Sequence, residues 1–91
     1  MNIEQIQKFL DGTTSTPDSA VRITFKKRDT IQGLFIREHN DYAYLKSKNF
    51  WRIVTKTHFD QWYKTKDMNL ARIFSGSEFT KLVLYKDSFE E

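Results

Sequence analysis

The 91-residue chain holds 15 Lys or Arg, 12 Asp or Glu, eight Phe, two Trp, one Pro and no Cys, for a net charge of +3. That length gives one domain with a modest core, which aromatic rings help to fill; the absence of Cys excludes disulfides and thiolate metal sites and leaves the redox compartment open. No apolar run approaches the roughly 20 residues of a membrane span, and the opening MNIEQIQKFLDG lacks the basic start and apolar run of a secretion signal, so a cytoplasmic setting is expected.

Residues 2–10 predict an amphipathic helix. Ile3, Ile6 and Leu10 recur at helical spacing beside Phe9, while Glu4, Gln5, Gln7 and Lys8 face outward. Asn2 can cap the start, with Gln5 three residues on, and Gly12 offers a stop. A linker of turn formers over residues 13–20 contains the single proline. Alternation makes residues 21–26 a strand, with Val21, Ile23 and Phe25 inward and Arg22, Thr24 and Lys26 outward. Residues 27–30 form a turn.

The next strand, residues 31–37, is apolar on both faces, Ile31 and Phe35 on one and Leu34 and Ile36 on the other. Gly33 is where its backbone can bend or approach a neighbour closely. A polar turn over residues 38–41 leads to an expected hairpin, strands 42–47 and 50–54 around Lys48 and Asn49. Aromatics on both faces of that hairpin leave one of Tyr42, Tyr44, Phe50 or Trp51 partly exposed. Residues 57–66 break the alternation: Phe59, Trp62 and Tyr63 fall at i, i+3 and i+4 and predict a short helix, with Thr57 and Asp60 resembling a capping box. Two closing strands, 70–74 and 79–85, are joined through residues 75–78, and an acidic tail over 87–91 is expected to fray.

Charge is unevenly spread. Residues 21–66 carry eleven Lys or Arg against Asp29, Glu38, Asp41 and Asp60, while the segments on either side are net acidic. One positive face follows, a footprint for single-stranded RNA or another polyanion; the same charges would also serve simply to solvate a surface and keep strand edges unpaired. Within this stretch Arg22, Lys26, Arg37, Lys46, Lys48, Arg52 and Lys56 interleave with aromatics that include Tyr44 and Trp51. Single-stranded nucleic acid is gripped by that pairing, because rings stack on bases while cations neutralise phosphates. The competing reading puts the rings in the core and the cations on the solvent face that strand alternation produces. Trp51, Trp62 and Tyr63 could instead anchor a protein partner or a second copy of the chain.

Catalytic patterns are missing. His39 and His58 have no second ligand at metal-binding spacing, and Ser75-Gly76-Ser77 fits a hairpin turn, not a nucleophile elbow. The carboxylates form no acid–base pair, and Gly12, Gly33 and Gly76 lie too far apart for a phosphate loop. The expectation is a non-enzyme without metal or cofactor.

The stretch IQGLFIREHNDYAYLK, residues 31–46, combines an apolar-x-Gly step, a bent strand, a polar turn and a Leu-Lys end. In that spacing it resembles the bacterial Sm-like RNA chaperones (Hfq type). IFSGSEFTKLVL, residues 73–84, is similar to the second Sm motif, in which a Gly precedes a short turn and a strand. Together the two cover about a third of the chain. His39 stands where that family has Asp, the connection between the two stretches is longer than usual, and the Tyr-Lys-His and Arg-Gly signatures are missing. The resemblance implies RNA binding and assembly through strand edges. The expected fold is a mostly β (α+β) small barrel of five to six strands in a bent sheet, Sm-like or Src-homology-like, with an N-terminal helix and a short helix before the last hairpin.

Overall fold

In the computed structural model, residues 1–13 and 20–84 are described; most of the expected linker and all of the acidic tail lie outside them. Helix α1 (Ile3–Thr13) starts as the sequence predicts. Gln5 N–H donates to Asn2 Oδ1 at 2.8 Å and Asn2 N–H donates to Gln5 Oε1 at 2.9 Å, so each residue satisfies an otherwise orphaned donor of the other. The helix runs through Gly12 and does not end there. Its apolar stripe is real, since Ile6 and Leu10 are buried.

Five strands follow: β1 (Val21–Phe25), β2 (Ile31–Phe35), β3 (Phe50–Thr55), β4 (Arg72–Ser75) and β5 (Phe79–Leu84). They form one antiparallel sheet in the order β4-β3-β2-β1-β5. The two ends of that order are joined by a single 3-10 turn, Gly76–Glu78. A flat sheet would hold edge strands about 19 Å apart at about 4.8 Å per step, whereas the four links from Ser75 to Phe79 reach about 15 Å even when extended. The sheet therefore curls strongly. A register shift between β1 and β5 at Thr24 and Phe25 adds local bending, and Lys26 N–H donates to Glu78 O at 2.9 Å where the edges approach.

This arrangement corrects the expected barrel. β4 and β5 share no ladder, so the sheet stays open and the two strands are opposite edges, not a closing hairpin. Leu70, expected as strand, lies in a 3-10 turn (Met68–Leu70) in which Asp67 accepts from Asn69 N–H. The expected strand at residues 42–47 is a helix, α2 (Tyr42–Ser47), so the hairpin around Lys48 and Asn49 does not exist and β3 pairs with β2. Ala43, Leu45 and Lys46 are good helix formers, and the tertiary partner decides the outcome. Tyr42 and Lys46, four residues apart on one helix face, both reach Gln7 Oε1 of α1, Tyr42 Oη at 2.9 Å and Lys46 Nζ at 3.0 Å. Asn49, at φ 63°, ends the helix.

The two-faced β2 does serve two cores. On the concave side Val21, Ile23, Phe25, Phe35, Trp51, Ile53, Phe79 and Leu82 pack with Ile6 and Leu10 of α1. On the other side Leu34 and Val54 pack under Trp62 of helix α3 (Phe59–Thr65). That helix is preceded by a 3-10 turn, and its start is His58 without a side-chain cap, in place of the expected Thr57–Asp60 box. Gly33 behaves as its sequence context suggests: a Cβ there would strike Ile53 Cγ2 and lie 3.2 Å from Val54 O. Gly76 is under the same constraint, since a Cβ would come 2.6 Å from Ile6 Cδ1 and 2.7 Å from Trp51 Nε1.

Candidate nucleic-acid interface

The structure divides the seven predicted cations into two groups. Three are engaged by partners inside the fold. Arg37 pairs with Asp11 at 3.3 Å and ties the chain after β2 to α1. Lys46 donates to Gln7. Arg52 pairs with Asp41, whose other oxygen accepts from His39 Nδ1 at 2.6 Å. Burial works against the Asp41 carboxylate, but the His39 hydrogen bond and the Arg52 charge outweigh it and hold its pKa below the ordinary value. The remaining four, Arg22, Lys26, Lys48 and Lys56, differ in exposure and not in lacking contacts: all four are exposed, and Arg22 and Lys56 also have partners.

The predicted aromatics divide in the same way. Trp51 is 1 % exposed in the concave core and Trp62 is 7 % exposed beneath α3, so neither ring is presented to a base or a partner. This corrects both assignments of Trp51 and the interface role of Trp62; strand alternation and the helical stripe turned them inward. Tyr44 is 65 % exposed, with Lys48 Nζ 5.8 Å from its ring centroid, and Tyr63 is 45 % exposed, with Lys66 Nζ at 5.6 Å. Phe50 and Ile73 are also exposed.

A site that sequence reasoning missed lies where the β1–β2 turn, the exit of β3 and the entry of β4 meet at one end of the sheet. Antiparallel order forces this meeting, because the end of each strand sits beside the start of its neighbour. The result is a cleft of about 480 Å³ whose wall includes Arg28, Lys56, His58, Arg72, Gln32 and Phe74. Thr30, Thr55 and Thr57 also line it, and among the described residues no carboxylate does. Arg28 lies over the Phe25 and Phe74 rings, 5.0 and 5.4 Å from their centroids, which holds the guanidinium at the cleft. Among the described residues neither Arg28 nor Arg72 forms an ion pair. A larger depression on α1, about 560 Å³, is lined by Glu4 and Asp11 as well as Lys8 and Lys46, so its charge is balanced.

Only Lys56 of this cleft belongs to the predicted basic set. Arg28 and His58 read as turn residues, and Arg72 lies in the acidic final segment, so no local pattern joins them. Among the described residues no group of His, Asp and Glu could hold a metal ion, and no helix is long and apolar enough to cross a membrane.

Fold and site together define a small α+β domain, a curled five-stranded antiparallel sheet with α1 on its concave side and a basic cleft at one end. No protein-family model, curated protein or solved structure matches the chain.

Proposed function

We propose that this domain is a non-catalytic binding module for single-stranded nucleic acid or a chemically similar polyanion. The observation that carries the reading is the cleft: Arg28, Lys56, His58 and Arg72, from three parts of the chain, converge on one concavity that has no carboxylate in its wall among the described residues. Such a concavity concentrates positive potential and attracts phosphates. Arg22, Lys26 and Lys48 extend the cationic surface beyond it, and Tyr44 offers a solvent-facing ring on which a base can stack.

The test is fluorescence anisotropy of a labelled single-stranded RNA titrated with the protein at low and physiological salt. Three to four neutralised phosphates give a slope of log K against log salt of about −2 to −3. Arg72→Glu and Lys56→Glu should weaken binding more than Lys48→Glu. Arg52→Glu is no probe of the surface, because Arg52 is paired with Asp41. Absence of binding at low salt overturns the reading.

A second reading, a protein-interaction or self-assembly module, is favoured by one observation. β4 and β5 are both edge strands, and Ile73 and Val83 are exposed on them. An unpaired edge with apolar side chains is a template for another strand. Sedimentation or size-exclusion analysis showing a concentration-dependent dimer lost on Ile73→Lys would support it; a monomer throughout would remove it.

A further inference from the structure

The cleft lies where the curled sheet ends, and what stands behind it limits how a strand can use it. Arg72 and Phe74 pair with Ile53 and Trp51 across the β3–β4 ladder, so all four share the concave face. Further in, that face is filled by Phe25, Trp51, Ile53 and Phe79, which are all buried. A chain that enters at the cleft meets packed side chains and cannot thread through the curl. The donor set is also richer than an internal phosphate needs, since a phosphodiester within a strand carries a single negative charge. Arg28, Lys56 and Arg72 bring three cations to one concavity, and neither Arg28 nor Arg72 forms an ion pair among the described residues. Thr55 Oγ1 and Thr57 Oγ1 lie 3.4 Å apart in the same wall. When one of these hydroxyls donates to the other, the second still has a hydrogen for a ligand.

Resting on the polyanion reading above, we propose that the cleft is a phosphomonoester site, which takes the phosphorylated end of a single strand and not its internal backbone. A phosphomonoester carries a charge of about −1.5 to −2 near neutral pH and presents three terminal oxygens. That group matches the several cations and hydroxyls of the wall, and a guanidinium fork can grip two of its oxygens at once. Arg28, steadied on the Phe25 and Phe74 rings, and Arg72 of β4 take the phosphate together with Lys56. The volume, about 480 Å³, falls in the range of roughly 300–1,000 Å³ usual for small-ligand sites. The rest of the strand lies outside and meets the exposed cations, among them Lys48, which precedes β3 while the cleft takes its far end. Selection is by the state of the strand end, and the bases are not read.

The probes are one RNA sequence, labelled in its interior, with hydroxyls at both ends, with a 5′-phosphate or with a 3′-phosphate. A hydroxyl-ended strand one nucleotide longer controls for added charge. In anisotropy titrations with the full chain, a phosphate at one of the two ends should tighten binding about tenfold, and the end that responds gives the polarity of the bound strand. The longer strand should gain about twofold at most. Arg28→Gln and Arg72→Gln should remove the tenfold gain, whereas Lys48→Gln should weaken every form alike and keep it. Ribose 5-phosphate should shift the amides of Thr30 and residues 55–58, and dimethyl phosphate, a phosphodiester, should not. Thermal melting checks the variants; Arg72 is exposed on an edge strand, so Arg72→Gln should melt with the parent.

Equal affinity for the three forms overturns the inference and leaves the broader function standing. A gain that survives both Arg28→Gln and Arg72→Gln overturns it too, because the end phosphate is then read elsewhere, and so do equal shifts from ribose 5-phosphate and dimethyl phosphate. Shifts from ribose 5-phosphate without affinity for any of the RNAs do the reverse: the phosphomonoester site stands, with a free sugar phosphate as its ligand, and the polymer-binding reading fails.

Discussion

Asn49 is the residue at which most of the fold converges. It adopts φ 63°, a left-handed conformation that Asn tolerates better than most side chains. Its Oδ1 accepts from the buried indole of Trp51 at 2.8 Å, its Nδ2 donates to Met1 O at 3.1 Å, and its backbone carbonyl accepts from Gly76 N–H at 2.8 Å. One side chain thus joins the end of α2, the core tryptophan and the N-terminal segment, while its carbonyl holds the turn that carries the chain from one sheet edge to the other. Asn49→Gly keeps the backbone conformation and strands the indole N–H, at a cost of about 1–3 kcal/mol. Asn49→Ala adds about 1–2 kcal/mol for the left-handed backbone. Urea unfolding of the two variants beside the parent should rank them in that order; a midpoint for Asn49→Gly equal to the parent's would show that the side-chain bonds to Trp51 and Met1 contribute nothing. The positive φ is in keeping with a turn residue expected beside Lys48, and the Trp51 bond is local, but the partners Met1 and Gly76 come from tertiary structure.

At the scale of elements, α2 shows how a few polar contacts override a local pattern. Tyr42 and Tyr44 alternate as in a strand, yet the segment winds into a helix seated on Gln7 of α1 and held at its start by the His39–Asp41–Arg52 cluster. The depressed pKa of Asp41 makes that cluster acid-sensitive. A carboxyl whose folded pKa lies below its ordinary value of 3.8 stabilises the fold fully above that value. The contribution is lost as pH falls through the lower folded value. Thermal melts from pH 6 down to about pH 2 should therefore fall more steeply for the parent than for Asp41→Asn. Parallel curves would mean that Asp41 titrates alike in folded and unfolded chains. The cleft belongs to this scale too, since it is made by strand ends and turns that only the sheet order brings together.

Across the whole molecule, the two apolar clusters lie on opposite faces of the same pair of strands, β2 and β3. Neither can be lost without disturbing the ladder that supports the other. Each holds one tryptophan, so Trp51→Phe and Trp62→Phe leave single reporters, of the α3 side and of the concave side respectively. Within each variant, denaturation followed by tryptophan fluorescence and by far-ultraviolet circular dichroism should give one coincident transition. A Trp62 signal that changes before the circular dichroism would show that α3 detaches as a separate unit.

What was legible in the sequence follows from where each signal resides. The capped α1, the alternating β1, the two-faced β2 with its close-packed Gly33 and the short helix after β3 were all determined by neighbouring residues, through helical spacing, period-two alternation and side-chain-to-backbone caps. Tertiary structure decided the rest. Gln7 drew residues 42–47 into a helix, and the curl of the sheet set β4 and β5 at opposite edges instead of in one hairpin. Antiparallel order then carried Arg28, Lys56, His58 and Arg72 from two connections and the start of β4 to one wall. Each of these depends on contacts between residues distant in the chain, and no local period or propensity records such contacts.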